Sequence, residues 1–162
     1  MSKEKILPKK KWGPGPWQDE PDEVFWTDDV TGFECAILRH MHCGQLCGYV
    51  AVPKGHPAYG KHYDSLEDIS AHGGLTFSGE GLGMVKSKKK TSGKWWFGFD
   101  CAHWQDLAPG MEALLRKYNP DRVVDGEYRD MAYVGAEVRD LAMQLLQMLT
   151  APLGSVLDDL EI

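Results

Sequence analysis

The clearest pattern in the chain is a run near its C-terminus in which apolar residues recur every three or four positions. Charged and amide side chains, from Asp130 to Gln144, lie between the apolar ones. This period predicts an amphipathic helix over about residues 129–150, and its apolar face needs a partner surface. The apolar positions are Met131, Val134, Val138, Leu141, Leu145 and Met148.

Shorter patterns upstream predict strands. Residues 24–29 and 33–39 are rich in β-forming residues and flank a Val-Thr-Gly turn, as in a hairpin. Residues 45–52 alternate between two faces and end at Pro53, which cannot continue a central strand. Farther along, Pro109–Tyr118 has the start and stop residues of a short helix.

The densest aromatic run, residues 95–104, predicts a strand with two unlike faces. Trp95, Phe97 and Phe99 alternate onto one face, where three large rings require a buried layer. The C-terminal helix supplies that layer. We therefore expect an α+β fold, with a mostly antiparallel sheet and a long C-terminal amphipathic helix packed on one face.

The opposite face is predicted to be polar and to hold a pocket. By alternation, this face carries the flat indole of Trp96, no side chain at Gly98 and the carboxylate of Asp100. Such a row suits the floor of a small-molecule pocket. If residues 72–78 form a strand paired with 94–100, their polar side chains share this face. The expected members are His72, Gly74, Thr76, Trp96 and Asp100, with Cys47 and Tyr49 as candidates from the third strand.

Residues 55–64 combine two histidines, two tyrosines, a lysine and two glycines in ten positions. Such a loop is too aromatic for a simple connector. It suits a lid over the rim of a pocket, and the alternative is an Ω-loop packed through its own rings.

Length and charge limit the classes of protein that the chain can belong to. A chain of 162 residues is most simply one domain, and we assign residues 1–23 to an N-terminal arm, 24–150 to an α+β domain and 151–162 to an acidic tail. The formal net charge of −6 argues against an extended nucleic-acid-binding surface. No apolar run approaches the roughly 20 residues of a membrane span. The lysine-rich start lacks an apolar stretch behind it, so we expect no signal peptide, free thiols and a cytoplasmic protein.

Two charged or aromatic segments have alternative interpretations. The lysines at 86–90 predict a solvated loop or, alternatively, a clamp for phosphates. Trp12 and Trp17 in the arm can dock on the body of the protein or on a neighbouring subunit, which makes a homo-oligomer the expected state.

Metal binding and acid–base catalysis are the first chemistries that the residues suggest. His40, His42, Cys43 and Cys47 superficially resemble a zinc site, but their spacing does not match a standard finger, and we expect neither a metal nor a cofactor. His72, Asp100 and His103 are the candidate catalytic set if the protein is an enzyme, either as acid–base groups or as ligands of a metal ion. The alternative for His103 is a hydrogen bond that holds a turn.

A pocket for a nucleotide-like molecule is the preferred interpretation. A base needs a flat surface for stacking, phosphates need cations and glycine amides, and ribose needs an acceptor such as Asp100. The predicted ligand-binding residues are His56, Tyr59, Lys61, His72, Gly73, Gly74, Trp96, Asp100, His103 and Trp104.

Five segments resemble recurrent motifs of a family of small accessory proteins carried by tailed bacteriophages and prophages. The resemblance spans residues 33–147 and leaves out the arm, the lysine loop and the acidic tail. The motifs are Gly-Tyr-Val-Ala-Val-Pro at 48–53, Gly-His-Pro at 55–57, His-Gly-Gly-Leu-Thr-Phe at 72–77, Trp-Phe-Gly-Phe-Asp-Cys-Ala-His at 96–103 and Tyr-Arg-Asp-Met-Ala-Tyr-Val at 128–134.

The family offers no activity to transfer, so the resemblance implies only a setting, the cytoplasm of an infected bacterium. By analogy with phage proteins that sequester or cleave nucleotide signals of bacterial immunity, we expect a binder that sequesters such a signal. The alternatives are a phosphodiesterase-like hydrolase of the same molecule and a non-catalytic protein-interaction module.

Overall fold

Five strands and two α-helices, with three short 3-10 helices, form the regular structure of the described residues. The computed structural model describes residues 7–85 and 90–160, with side chains to residue 150. Most bounds lie within a few residues of the predicted ones. The elements are β1 Glu23–Thr27, β2 Glu34–Arg39, β3 Leu46–Val52, β4 Phe77–Glu80, β5 Trp95–Asp100, α1 Pro109–Tyr118 and α2 Met131–Leu160.

The strands form one antiparallel sheet in the order β1-β2-β3-β5-β4. β1 and β2 are the predicted hairpin, and β3 lies at the centre of the sheet. β5 inserts between β3 and β4, so that the aromatic strand is hydrogen-bonded on both edges. Both faces of β5 are covered, by α2 on one side and by Leu82 and Val85 on the other, which explains its large apolar side chains on both faces.

The first face of the sheet packs against α2, as predicted. Val134, Val138, Leu141 and Leu145 are fully buried in one cluster with Phe97 and Phe99. Trp95 packs at the margin of this cluster. The α+β architecture with a C-terminal helix on one sheet face is thus confirmed.

Gly48 allows the helix to approach the sheet closely. It lies opposite Phe99 in the sheet. A Cβ atom at Gly48 would lie 2.5 Å from the Phe99 ring and 2.6 Å from a Val138 methyl. Any larger residue at this position would therefore push α2 away from β3.

The prediction of a polar second face is wrong. Trp96 is 0% exposed and belongs to a second apolar cluster with Cys47 and Tyr49. Leu82 and Val85, from the segment after β4, cover this cluster. The sheet is therefore buried on both faces, and the second face is a core and not the floor of a pocket.

The predicted strand 72–78 is also wrong in extent and facing. Only Phe77–Glu80 forms a strand, and Phe77 lies opposite Gly98, on the same face as Trp96. Gly73 and Gly74 have φ angles of +69° and +87°, which interrupt an extended backbone. As a result His72 and Gly74 precede the sheet edge instead of lying on a sheet face.

The N-terminal arm docks on its own chain from Leu7 onward. Trp12 is buried, and a Cβ at Gly44 or Gly110 would lie 3.0 Å from its ring. The buried Arg39 side chain donates to Asp22 and Glu20 of the arm at 2.8 and 3.3 Å. Trp17 packs edge-on against Tyr128 of the body, with ring centroids 5.1 Å apart. Both tryptophans thus dock on their own chain, one of the two predicted alternatives, and residues 1–6 lie outside the described part.

The start of α2 is capped from two directions. Asp130 accepts a hydrogen bond from the Tyr133 amide at 2.9 Å, and Glu20 of the arm accepts one from the Met131 amide at 2.7 Å. The helix continues to Leu160 instead of ending near residue 150. Among the described helices, none has the length and apolar character needed to cross a bilayer.

Candidate functional site

An open cavity of about 330 Å³ lies where three segments meet beyond the end of β5. One segment is the His72–Gly73 turn, the second is the turn after β5, and the third leads into α2. Four of the predicted ligand residues line this cavity, and two more, Gly74 and Asp100, lie next to lining residues. The lining residues are His72, Gly73, His103, Trp104, Gln105, Asp106 and Arg129.

Gly73 brings the two histidines of the cavity together. A Cβ at Gly73 would lie 2.0 Å from Nε2 of His103, so only glycine lets that ring lie against the turn. The positive φ of Gly73 also favours glycine. The His72 and His103 rings consequently lie 5.7 Å apart between centroids.

Asp106 is the buried anchor of the cavity, with 1% of its side chain exposed. It accepts hydrogen bonds from His72 Nε2 and Arg129 Nε, both at 2.8 Å, and from the His103 amide at 3.0 Å. Burial alone would raise the pKa of Asp106, but the hydrogen bonds from Arg129 and His72 lower it below its usual value. Asp106 is therefore ionised at neutral pH and accepts hydrogen bonds from its partners.

Both ring nitrogens of His72 have partners. Nε2 donates to Asp106, and Nδ1 lies 2.7 Å from the Tyr133 hydroxyl. Tyr133 in turn contacts Glu137 at 3.1 Å, one turn farther along α2. His72 is held in one orientation by this chain of contacts, and it cannot exchange a proton with a ligand unless one of these hydrogen bonds breaks.

His103 differs from His72 because one of its nitrogens is unengaged. Its Nε2 atom is buried and has no hydrogen-bond partner among the described residues. It lies 3.5 Å from Oδ1 of Asp100, an ion-pair distance without hydrogen-bond geometry. Asp100 already accepts from Thr76 Oγ1 at 3.2 Å and from the Ala102 amide at 3.1 Å.

Trp104 lies at the rim of the cavity and is 85% exposed. An indole with so little packing contributes little to the core, and its faces are open to a planar ligand. Arg129 also lines the cavity, and its guanidinium covers the Tyr133 ring at 5.0 Å. The cavity thus has an aromatic surface, a fixed cation and two imidazoles.

Trp96 is not part of this site. Its indole is buried on the second sheet face, and Nε1 donates to the Thr91 carbonyl at 2.9 Å. The ring therefore has no free face on which a base can stack. The predicted grouping of His72, Trp96 and Asp100 on one polar face is corrected accordingly.

His56, Tyr59 and Lys61 lie near a different part of α2. His56 accepts from the Ala58 amide at 2.9 Å and donates through Nε2 to the Leu145 carbonyl at 2.7 Å. Leu145 is twelve residues beyond Tyr133, about 18 Å along the helix axis. The three predicted residues of this loop are therefore separate from the cavity.

The loop at 55–64 is packed and does not form a lid in this structure. Ala58 is fully buried in the core beneath α2, and Tyr59 packs against Trp95 with centroids 6.1 Å apart. The Lys61 carbonyl accepts a hydrogen bond from Trp95 Nε1 at 2.9 Å. These contacts match the alternative interpretation, an Ω-loop held by its own rings.

Asp106, Arg129 and Tyr133 are site residues that the sequence interpretation missed. Arg129 and Tyr133 lie within the 128–134 motif, but helical periodicity draws attention to the apolar members of that segment. Asp106 follows His103 by three residues, with no pattern of its own. Only the tertiary structure, in which the His72–Gly73 turn meets the turn after β5, shows that these residues lie together.

The side chains of His40 and Cys47, in the histidine and cysteine cluster at 40–47, already have other roles in the fold. His40 Nδ1 accepts from the Cys43 amide at 3.0 Å, and Cys47 is buried in the second core. Among the side chains that the structure describes, those of residues 7–85 and 90–150, no three His, Cys, Asp or Glu groups are placed to hold a metal ion. The lysines at 86, 88 and 89 lie outside the described residues, while Lys90 lies 5.2 Å from the Phe25 ring centroid.

Comparisons with protein-family models, with curated proteins and with solved structures return no match for this chain.

Proposed function

We propose that the protein binds and sequesters a small nucleotide-like anion in the cavity between His72 and Arg129. The observation that carries this proposal is the presence of an exposed indole, Trp104, and the fixed guanidinium of Arg129 in the lining of one cavity. The resemblance to phage accessory proteins adds the setting, an infected bacterium, and the analogy with phage proteins that sequester nucleotide signals suggests that the bound molecule is an immune signal.

The size and chemistry of the cavity suit such a ligand. Its volume of about 330 Å³ is at the lower end of the range for small-molecule sites. Trp104 can stack on a base, and each base–aromatic contact contributes about 1–3 kcal/mol. Arg129 is oriented by Asp106 and by Glu127, to which Nη1 donates at 3.1 Å, and guanidinium groups are well matched to phosphates.

We favour binding over cleavage because both ring nitrogens of His72 already have partners within the protein. A general base needs a nitrogen free to accept a proton, and both nitrogens of His72 are already in contact with Asp106 and Tyr133. The phosphodiesterase-like alternative, with His72, Asp100 and His103 as the catalytic set, depends on the unengaged Nε2 of His103.

Calorimetric titration with cyclic nucleotides, cyclic dinucleotides and ADP-ribose derivatives tests the proposal. At least one should bind, and Trp104→Ala should weaken its affinity about tenfold or more through lost stacking. Tyr118→Ala removes another exposed aromatic ring, outside the cavity, and should leave the affinity unchanged. Equal affinity of wild type and Trp104→Ala would contradict the proposal.

The fate of the ligand distinguishes sequestration from cleavage. After incubation, the protein is denatured and the released small molecule is analysed by mass spectrometry. Sequestration returns the ligand unchanged, whereas hydrolysis returns products. Native mass spectrometry of protein purified from infected cells identifies a ligand retained in its natural setting.

A further inference from the structure

Arg129 by itself gives the cavity between His72 and Arg129 no net positive charge. Its Nε atom donates to Oδ1 of Asp106 at 2.8 Å, and Nη1 donates to Glu127 at 3.1 Å. The Asp106 side chain is 1% exposed, so solvent screens this pair little, whereas Glu127 is 75% exposed and is largely screened. An anion therefore needs a second cation in the cavity, and the hydrogen bonds of His72 indicate its source.

The first proton of His72 lies on Nε2. This nitrogen is 2.8 Å from Oδ2 of Asp106. The lowered pKa of Asp106 keeps that carboxyl group ionised, and an ionised carboxylate accepts hydrogen bonds but has no proton to donate. Nε2 is therefore the donor. Arg129 binds the other oxygen of the same carboxylate, so the two contacts do not compete.

The second proton follows from the neighbours of the Tyr133 hydroxyl. This hydroxyl lies 2.7 Å from Nδ1 of His72 and 3.1 Å from Oε1 of Glu137. Burial and the hydrogen bond to Glu137 raise the pKa of Tyr133, so the phenol keeps its single proton. The carboxylate of Glu137 can only accept, so this proton points to Glu137. The Tyr133 oxygen then faces Nδ1 as an acceptor, and Nδ1 needs a proton of its own.

Only a doubly protonated His72 satisfies all three contacts. If His72 were neutral, with its one proton on Nε2, the Tyr133 hydroxyl would have to turn toward Nδ1, and Glu137 would lose its donor. The neutral form thus makes two hydrogen bonds and the imidazolium makes three, and hydrogen bonds from a charged donor are stronger. Arg129 and the His103 ring, 5.7 Å away, face His72 and oppose its charge, while the carboxylates of Asp106 and Glu137 favour it.

We infer that His72 is held as an imidazolium cation and supplies the net positive charge that attracts the anion. Two cations, His72 and Arg129, then contact one buried anion, Asp106, and one positive charge remains. Because both ring nitrogens are engaged, His72 acts on the ligand through its charge and not through a hydrogen bond. The cavity should therefore discriminate anionic ligands from neutral ones of similar shape. The role in binding rests on the proposed function, but the charge of His72 does not depend on a bound ligand.

Heteronuclear NMR of the histidine ring nitrogens tests this charge without a ligand. A ring nitrogen that carries a proton and one that does not have well-separated chemical shifts, so the spectrum counts the protons on each ring. At about pH 7.5, above the pKa of about 6.5 of an ordinary histidine, both nitrogens of His72 should carry protons. The variant His72→Gln lacks these two signals and thereby assigns them.

Glu137→Ala and Tyr133→Phe test the cause of the charge. Glu137→Ala frees the Tyr133 hydroxyl to donate to Nδ1, and Tyr133→Phe removes the hydroxyl while it keeps a ring beneath Arg129. In both variants Nδ1 of His72 should lose its proton at the same pH. Glu127→Ala is the matched control, because Glu127 contacts Arg129 and not His72, and both protons should stay in place. Circular dichroism verifies that the variants fold.

The expected effect of Glu137→Ala on ligand binding has the opposite sign to that of simple charge removal. Loss of a negative charge alone would raise the affinity for an anion. Because the variant also neutralises His72, it should instead lower the affinity for ADP-ribose about tenfold, as measured by calorimetry. The affinity for adenosine, which is neutral, should not change. Glu127→Ala should leave the affinity for ADP-ribose unchanged or raise it slightly.

Two results would overturn the inference. The first is a wild-type protein in which one ring nitrogen of His72 lacks a proton at about pH 7.5. The second is a Glu137→Ala protein in which His72 loses a proton and the affinity for ADP-ribose stays the same. If His72 is doubly protonated and no nucleotide binds at all, the proposed function fails together with the role of His72 in binding, and only the protonation state stands.

Discussion

The two faces of the sheet are equally buried but are covered in different ways. On one face, the regular helix α2 places Val138 and Leu141 over Phe97 and Phe99. On the other, the irregular segment after β4 places Leu82 and Val85 over Trp96. Trp96 and Phe97 are adjacent in sequence, point in opposite directions and are both 0% exposed.

This contrast shows that an irregular cover can exclude water as well as a helix does. The second cover is held by a few specific contacts, because Leu82 donates its amide to Thr91 Oγ1 at 2.9 Å and Trp96 donates to the Thr91 carbonyl. A helix is instead held by a repeating backbone ladder. We therefore expect core substitutions on the two faces to lower the free energy of unfolding by similar amounts. We expect the segment after β4 to open locally more often than α2.

The largest expected effect concerns stability. Trp96→Ala should lower the free energy of unfolding by about 3–5 kcal/mol, as should Phe97→Ala on the other face, because each leaves a large cavity in a core. Trp104→Ala, which removes an exposed indole, should change it by less than about 0.5 kcal/mol. Urea denaturation measures all three. A fully stable Trp96→Ala protein would show that the second face is not a core.

Two glycine substitutions with smaller expected effects test whether α2 must lie close to the sheet at Gly48. Gly48→Ala should lower the free energy of unfolding by about 1–3 kcal/mol, because the new methyl overlaps Phe99 and Val138. Gly135→Ala, on α2 with open space around its Cβ position, should raise it by about 0.5–1 kcal/mol. Thermal and urea unfolding report both signs. Equal effects at the two positions would mean that the helix adjusts freely over the sheet.

The smallest effect is the difference in dynamics between the two covers. Native-state hydrogen exchange should show protection of the Leu82 amide at least about tenfold lower than that of the Val138 amide, because an irregular segment opens locally. The measurement requires no substitution. Equal protection would indicate that the second cover opens only when the whole protein unfolds.

The successful predictions depend on local repeats. The spacing of Val134, Val138, Leu141 and Leu145 predicts both α2 and its buried face, since helical geometry relates these positions without other information. Alternation in β3 correctly separates Val50 from Tyr49 onto different faces. It does not reveal that both faces are covered, because Tyr49 and Cys47 suit a pocket as well as a core.

The predictions fail where contacts between distant parts of the sequence determine the local structure. Residues 72–78 alternate like a strand, but Gly73 and Gly74 turn the backbone, and pairing with β5 begins farther along the chain. His72 consequently turns toward α2 and meets Asp106 instead of Trp96. A loop conformation of this kind depends on partners more than 30 residues away, as the separation of 34 between His72 and Asp106 illustrates.

The sequence by itself determined the α+β class, the hairpin, the central aromatic strand and the face that α2 buries, because each follows from a repeat within one element. The tertiary structure alone decided that the second sheet face is a core and that His72, Asp106 and Arg129 form one site. Side chains from separate segments converge only after strand register and turn geometry are set, and those depend on contacts that no local pattern encodes.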